Sequence, residues 1–147
     1  MKSEHMMKTK HAKTLKSAGI IELVLAVGII SFWMTYFSTD IVDIDNPDLK
    51  EKYLAFESAF PIPDLYLSIL LIIGGIGLLI KKSYGYLFSL LGGASLIFLG
   101  LLDVSFNTQH GIYLLGIGEA IMNGMINLLC LGGGVFIIFT VWKNRGN

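Results

Sequence analysis

The sequence predicts an all-α protein, a membrane-embedded antiparallel four-helix bundle, on three observations. The 147-residue chain is 54% hydrophobic and 15% charged, where soluble domains carry about 25% charged residues. Its charges leave long stretches empty, with none between Lys82 and Asp103 and none between Glu119 and Lys143. Four apolar segments each reach the roughly 20 residues a helix needs to cross a hydrocarbon core about 30 Å thick. Helices are required, because an open sheet would leave backbone groups unpaired in lipid.

The first segment runs from Ala18 to Phe37 and is interrupted by Glu22. A basic start before an apolar run has the outline of a secretory signal. The run is longer than the usual apolar core of about 7–15 residues, and no small-residue cleavage pattern follows it. It therefore reads as a retained first span. Residues 1–14, with His5 and His11, read as a mobile basic leader, and 15–147 as a single transmembrane domain.

The loop from Ser38 to Ala59 is the longest connection. Its stretch from Pro47 to Phe60 predicts a short interfacial helix, capped by Asp45 or Asn46 with Pro47 in the first position. Tyr53, Leu54, Phe56 and Phe60 would form its apolar side. Pro61 and Pro63 end that element, and Asp64 is placed to cap the second span, from Ile62 to Ile80. The third span, from Tyr84 to Leu102, follows after about three residues, so the two must be antiparallel neighbours. The fourth runs from Gly116 to Trp142 and carries Glu119, Asn123 and Asn127 in its first half.

Orientation follows from the cations. Lys2, Lys8, Lys10, Lys13 and Lys16 precede the first span, Lys81 and Lys82 fill the turn between spans two and three, and Lys143 and Arg145 follow span four. Lys50 and Lys52 lie instead among Asp40, Asp43, Asp45, Asp48, Glu51 and Glu57. Positive charge is retained in the cytoplasm, which places both termini inside, in the plasma membrane. Trp33, Tyr36, Phe37, Tyr66 and Tyr113 would line the outer interface, and Tyr84, Tyr86 and Trp142 the inner one.

Small residues mark where helices can approach. Gly85, Ser89 and Gly93 form one ridge, and Gly116, Ala120 and Gly124 another. Gly74, Gly75 and Gly77, and Gly132 to Gly134, allow further close contacts. Packing within one bundle is the first use of these faces, and a homodimer through them the second. The lone Cys130 can form neither an internal disulfide nor a cysteine metal cluster, and reads as a packing residue.

The candidate site lies at the outer helix ends. Asp64 begins span two, Asp103 ends span three with Asn107 one turn on, and Glu119 and Asn123 share a face of span four at i and i+4. Asn127 extends that face, and Gln109 and His110 lie in the last loop. The helix dipole favours carboxylates at the N-terminal positions of Asp64 and Glu119 but opposes Asp103. Asp103 therefore needs a donor, a cation or a proton. Asn107, His110, a tyrosine, or a proton shared with Asp64 or Glu119 would serve. Three readings compete: a hard-cation site built of oxygens, a proton-linked site for a small solute, and a polar network that only fixes the bundle. The scattered histidines give no zinc spacing. Glu22, near the cytoplasmic face, is either a carboxylate paired near Lys16, Ser83 or Tyr84, or a proton carrier. Ser31, Thr35, Ser68 and Ser95 are candidates for a continuing polar path.

Two stretches, Phe56-Glu-Ser-Ala-Phe-Pro-Ile-Pro-Asp64-Leu-Tyr-Leu and Phe98-Leu-Gly-Leu-Leu-Asp103-Val-Ser-Phe-Asn107-Thr-Gln-His-Gly111-Ile-Tyr113, resemble a family of small four-span prokaryotic membrane proteins of unassigned function. The resemblance covers Ala55 to Val141 and implies a four-helix bundle, with no activity attached. Length and span count alone are similar to the DoxX-like proteins, and no site is carried over from them.

The leading expectation is an outward-facing acidic and amide pocket that binds, or also transports, a small solute or cation. The alternative is a non-catalytic structural or partner-binding subunit. An enzyme is least supported, since no nucleophile–base pair, zinc signature, redox cysteine pair or nucleotide motif is present. The sequence assigns no cofactor and leaves the metal unknown. The lipid bilayer is the expected partner, and nucleic acid is not.

Overall fold

A computed structural model describes residues 2–39 and 44–144, with backbone alone for 2–12. Asp40, Asp43 and Arg145 lie outside the described residues, as do the side chains of Lys2, His5, Lys8, Lys10 and His11. Among the described residues, five α-helices follow one another: α1 (Lys2–Ser38), α2 (Pro47–Glu57), α3 (Pro61–Leu79), α4 (Ser83–Gln109) and α5 (Ile117–Asn144). A 3-10 turn at Ile112–Leu114 links the last two, and no strand occurs among the described residues. Within α1, α3, α4 and α5, the stretches Lys13–Ser38, Pro61–Leu79, Ser83–Gln109 and Ile117–Asn144 are long and apolar enough to cross a membrane. This is a multi-pass membrane protein. The backbone of the expected leader is helical from Lys2 and runs without a break into the first span.

Each spanning helix packs against the next in the cyclic order α1, α3, α4, α5, with the α1–α5 seam the slightest. Paired residues show the α1–α3 and α4–α5 seams to be antiparallel. On α1 and α3, Gly19 meets Gly75 at one end and Trp33 meets Asp64 at the other. On α4 and α5, Gly93 meets Gly134, Gly100 meets Cys130, and Asn107 meets Asn123. Ala18, Ala26, Leu67, Leu71, Leu78, Leu96, Leu99, Ile137 and Val141 form the buried apolar core.

The α3–α4 turn is as short as expected and closes by hydrogen bonds. Lys82 N–H donates to the Gly77 carbonyl at 2.8 Å and Lys81 N–H to that of Leu78 at 3.2 Å. This paired 6→1 and 5→2 pattern satisfies the last carbonyls of α3. It needs a left-handed residue after the cap, and Lys81 takes that place at φ 58°.

The α2 helix forms where expected but stops at Glu57 rather than Phe60. Asn46 is the cap, its side chain accepting from Leu49 N–H at 3.1 Å, and Pro47 stands at the first turn. Phe56 stacks on Phe106 of α4 with ring centroids 3.9 Å apart, and Phe60 lies edge-on to Phe56. Pro61 starts α3 rather than merely ending α2, so Asp64 falls inside its first turn. Asp64 is not the cap: Phe60 is, with no side-chain capping bond. That frees the carboxylate for a partner on another helix.

Candidate functional site

The spanning helices part at the end of the bundle that carries α2, leaving a cavity of about 400 Å³. Asp64, Asp103, Glu119 and Asn123 all line it, as expected. Asn107 stands behind the wall, fully buried. Its amide donates to Asp103 at 3.0 Å and to the Asn123 carbonyl oxygen at 3.3 Å. Asn123 in turn donates to the Glu119 carboxylate at 3.3 Å and to its backbone oxygen at 3.0 Å. Two carboxylates from different helices are thus joined through two amides. Asp103 has found the donor that its C-terminal position demands, and that donor is Asn107.

Three expected residues stand elsewhere. His110 caps α4 and lies against the Phe106 ring at 4.4 Å, and it does not line the cavity. Gln109 bonds Ser105 at 2.8 Å on the exposed side of α4. Asn127 donates to the Tyr113 hydroxyl at 2.7 Å and also bonds Asp103. Tyr113, expected only at the outer interface, therefore takes part in this network.

Three contributors are not among the expected site residues. Trp33 is 8% exposed, and its indole N–H donates to Asp64 at 2.8 Å. It is buried on a carboxylate where an interfacial ring was expected. Glu57 and Tyr53 come from α2, one turn apart, and both line the cavity. They share a hydrogen bond, burial is the main reason both side chains lose acidity, and the carboxyl of Glu57 rises to about 7. The nearby Asp103 adds to the rise at Glu57, while Tyr53 opposes it. The sequence does carry a signal for the pair, since Tyr53 and Glu57 are i and i+4 on one face of a predicted helix. On a helix lying at the membrane surface that face would meet headgroups. Packing of α2 onto α4 turns it into the cavity instead.

Below this polar end the lining is apolar: Leu25, Ile29 and Phe32 of α1, Leu67 of α3, Leu96 and Leu99 of α4, and Ile126, Leu129 and Cys130 of α5. Among the described residues, no group of three or more His, Cys, Asp or Glu is arranged to hold a metal ion.

Glu22 is separate and fully buried at the other end of the bundle. Its partner is Ser89, whose hydroxyl donates to it at 3.0 Å, rather than Lys16, Ser83 or Tyr84. Gly74 makes room for the pair: a Cβ there would come 2.5 Å from the Glu22 carboxylate. The expected polar path is not continuous. Thr35 bonds the Ser31 backbone on the exposed side of α1, while Ser68 is buried with an unpartnered hydroxyl.

A family model for a domain of unknown function, DUF8058, matches residues 12–147, nearly the whole chain. The chain belongs to the DUF8058 family. No curated protein and no solved structure matches this DUF8058 chain. The membership agrees with the resemblance carried by the Asp64 and Asp103 stretches, and it brings no activity to the cavity they line.

Proposed function

We propose that this chain binds a small solute with a cationic, donor-rich group in the acidic pocket, as a carrier or receptor in the plasma membrane. Its termini would be cytoplasmic and the pocket would face outward, in keeping with lysines at the termini and at Lys81–Lys82. The observation that carries the reading is an imbalance of acceptors over donors. Four carboxyl groups, from Glu57, Asp64, Asp103 and Glu119, line the cavity, and among the described residues no Lys, Arg or His does. The Trp33 N–H, the Tyr53 hydroxyl and the Asn107 and Asn123 amides already have partners, and Tyr36 adds one further hydroxyl to the lining, against four carboxyl groups. Behind the wall, the side-chain carbonyl oxygens of Asn107 and Asn127 are buried with no hydrogen-bond partner and add to the surplus of acceptors around Asp103. A ligand supplying several N–H donors and a positive charge would pair with the carboxylates that face the cavity.

The test is thermal melting of the purified protein with ethylamine, choline and sodium as probes, at about pH 8. A probe that binds should raise the melting temperature in a concentration-dependent way, and Asp103→Asn should abolish the rise. A rise that survives unchanged in Asp103→Asn would remove the acidic end from the site.

The homodimer is proposed for one face only. A Cβ at Gly116 or Gly124 meets nothing within 4 Å, so that ridge is available to a second copy. Mass measurement in detergent, with Gly124→Leu as the disrupting variant, would test it.

A further inference from the structure

The cavity has a second property that the charge imbalance does not explain: it is open on one side. Its walls on α3 and α4 are closed, with Leu67 and Leu96 each 1% exposed and Leu99 9%. On α1 and α5, residues that line the same cavity also face outward, with Val24 65% exposed, Met122 44% and Leu129 54%. Gly28 lines it too, and a Cβ there would meet nothing within 4 Å. Beyond Leu129 on α5, a Cβ at Gly133 would stand 3.2 Å from the Leu25 side chain. The α1–α5 seam is therefore closed toward the termini and parted beside the cavity.

With the four helices across a bilayer, this gap would open onto lipid rather than water. Val24 and Gly28 sit near the middle of the Lys13–Ser38 span, and the rim residues are apolar. At the polar end, Ile44, Tyr53 and Phe60 line the cavity and stand as its roof along the bundle axis among the described residues. The stack of Phe56 on Phe106 holds that roof to α4.

We propose that the ligand is a single-chain cationic amphiphile that enters sideways from the bilayer between α1 and α5. The head would sit among Asp64, Asp103 and Glu119, and the chain would run over Gly28 and out past Val24 and Leu129. About 400 Å³ is at the low end for a ligand pocket. It accommodates a head and the first part of a chain whose remainder stays in lipid. This assignment rests on the cationic-ligand reading above and adds the apolar chain and the route.

The protein in phosphatidylcholine nanodiscs would be titrated with dodecylamine, ethylamine and dodecanol, with empty nanodiscs subtracted. Dodecylamine should bind saturably at one per chain, at least tenfold tighter than either of the others. Gly28→Leu places a side chain in the open gap. It should keep its melting temperature and lose at least tenfold for dodecylamine. Asp103→Asn should lose a comparable factor. If ethylamine equals dodecylamine, or if Gly28→Leu binds dodecylamine as the wild type does, the chain and the sideways route are overturned while the acidic site stands. If dodecanol equals dodecylamine, recognition of the cation fails, and the function proposed above fails with it. Absence of saturable dodecylamine binding overturns both.

Discussion

The two seams made by α1 differ in how they use glycine. Against α3, Gly19 and Gly75 approach so closely that a Cβ on either would lie within 2.8 Å of the other's carbonyl oxygen. The same corner continues into α4, where a Cβ on Gly85 would stand 2.5 Å from the Gly77 backbone. On the α5 side, by contrast, Gly28 faces open space. Small residues in the first seam let backbones meet and build a rigid wall, as they do wherever dispersion contacts rather than water exclusion drive helix association. In the second, Gly28 removes a side chain where nothing replaces it, and the result is a cavity. A glycine pattern alone does not distinguish a contact from a gap.

The largest effect that would test this contrast is at the tight corner. Gly85→Val should destabilise the bundle by about 3 kcal/mol or more, because the clash is with backbone that cannot rotate away. Denaturation in mixed micelles would measure it, and a loss under about 1 kcal/mol would mean that the corner yields.

An intermediate effect belongs to the roof of the cavity. Glu57 titrates near 7 in the folded chain, above the ordinary glutamate value of 4.5. A folded-state pKa raised in this way means the folded protein holds the proton more tightly. Stability from this group is therefore complete below about 4.5 and is lost as pH rises toward 7. Glu57→Gln removes the titration and keeps an acceptor for Tyr53. Relative to wild type, the variant should gain about 2 kcal/mol between pH 5 and pH 8, the full shift being discounted for residual solvent screening. A stability difference that does not change with pH would place Glu57 in a more solvated setting.

The smallest effect is expected on the open side of α5. Gly124→Ala adds a methyl group where a Cβ meets nothing. It should shift stability by less than about 1 kcal/mol, in the stabilising direction, through helix propensity. A loss as large as that at Gly85 would mean that a neighbour covers the face, and crosslinking would then identify it.

Much of the site is legible in the sequence. Asp64, Asp103, Glu119 and Asn123 do converge, because each lies within a turn or two of the same end of the bundle. Antiparallel alternation brings those helix ends together. Asn107 as the donor for Asp103 follows from i, i+4 spacing and from the dipole's opposition to a C-terminal carboxylate. Trp33 is not legible as a site residue, and for Glu57 the i, i+4 pairing with Tyr53 is legible while its turn into the cavity is not. Whether an indole at a helix end faces lipid or a carboxylate depends on the rotation of that helix, which hydropathy does not encode. His110 shows the converse, since its closeness in sequence to Asn107 suggests a place in the network and the helix end turns it away.

The sequence by itself determined the number of spans, their approximate boundaries, the short α3–α4 turn and the α2 element. These depend on local quantities: the length of apolar runs, the position of Pro47 and Asn46, and the spacing of charges. Tertiary structure alone decided that the Gly85–Ser89–Gly93 ridge is consumed inside the chain, that Glu22 pairs with Ser89, and that the α1–α5 seam parts beside the acidic cluster. Those outcomes depend on how each helix turns about its own axis. Packing of neighbouring side chains sets that rotation, and no single segment carries the information.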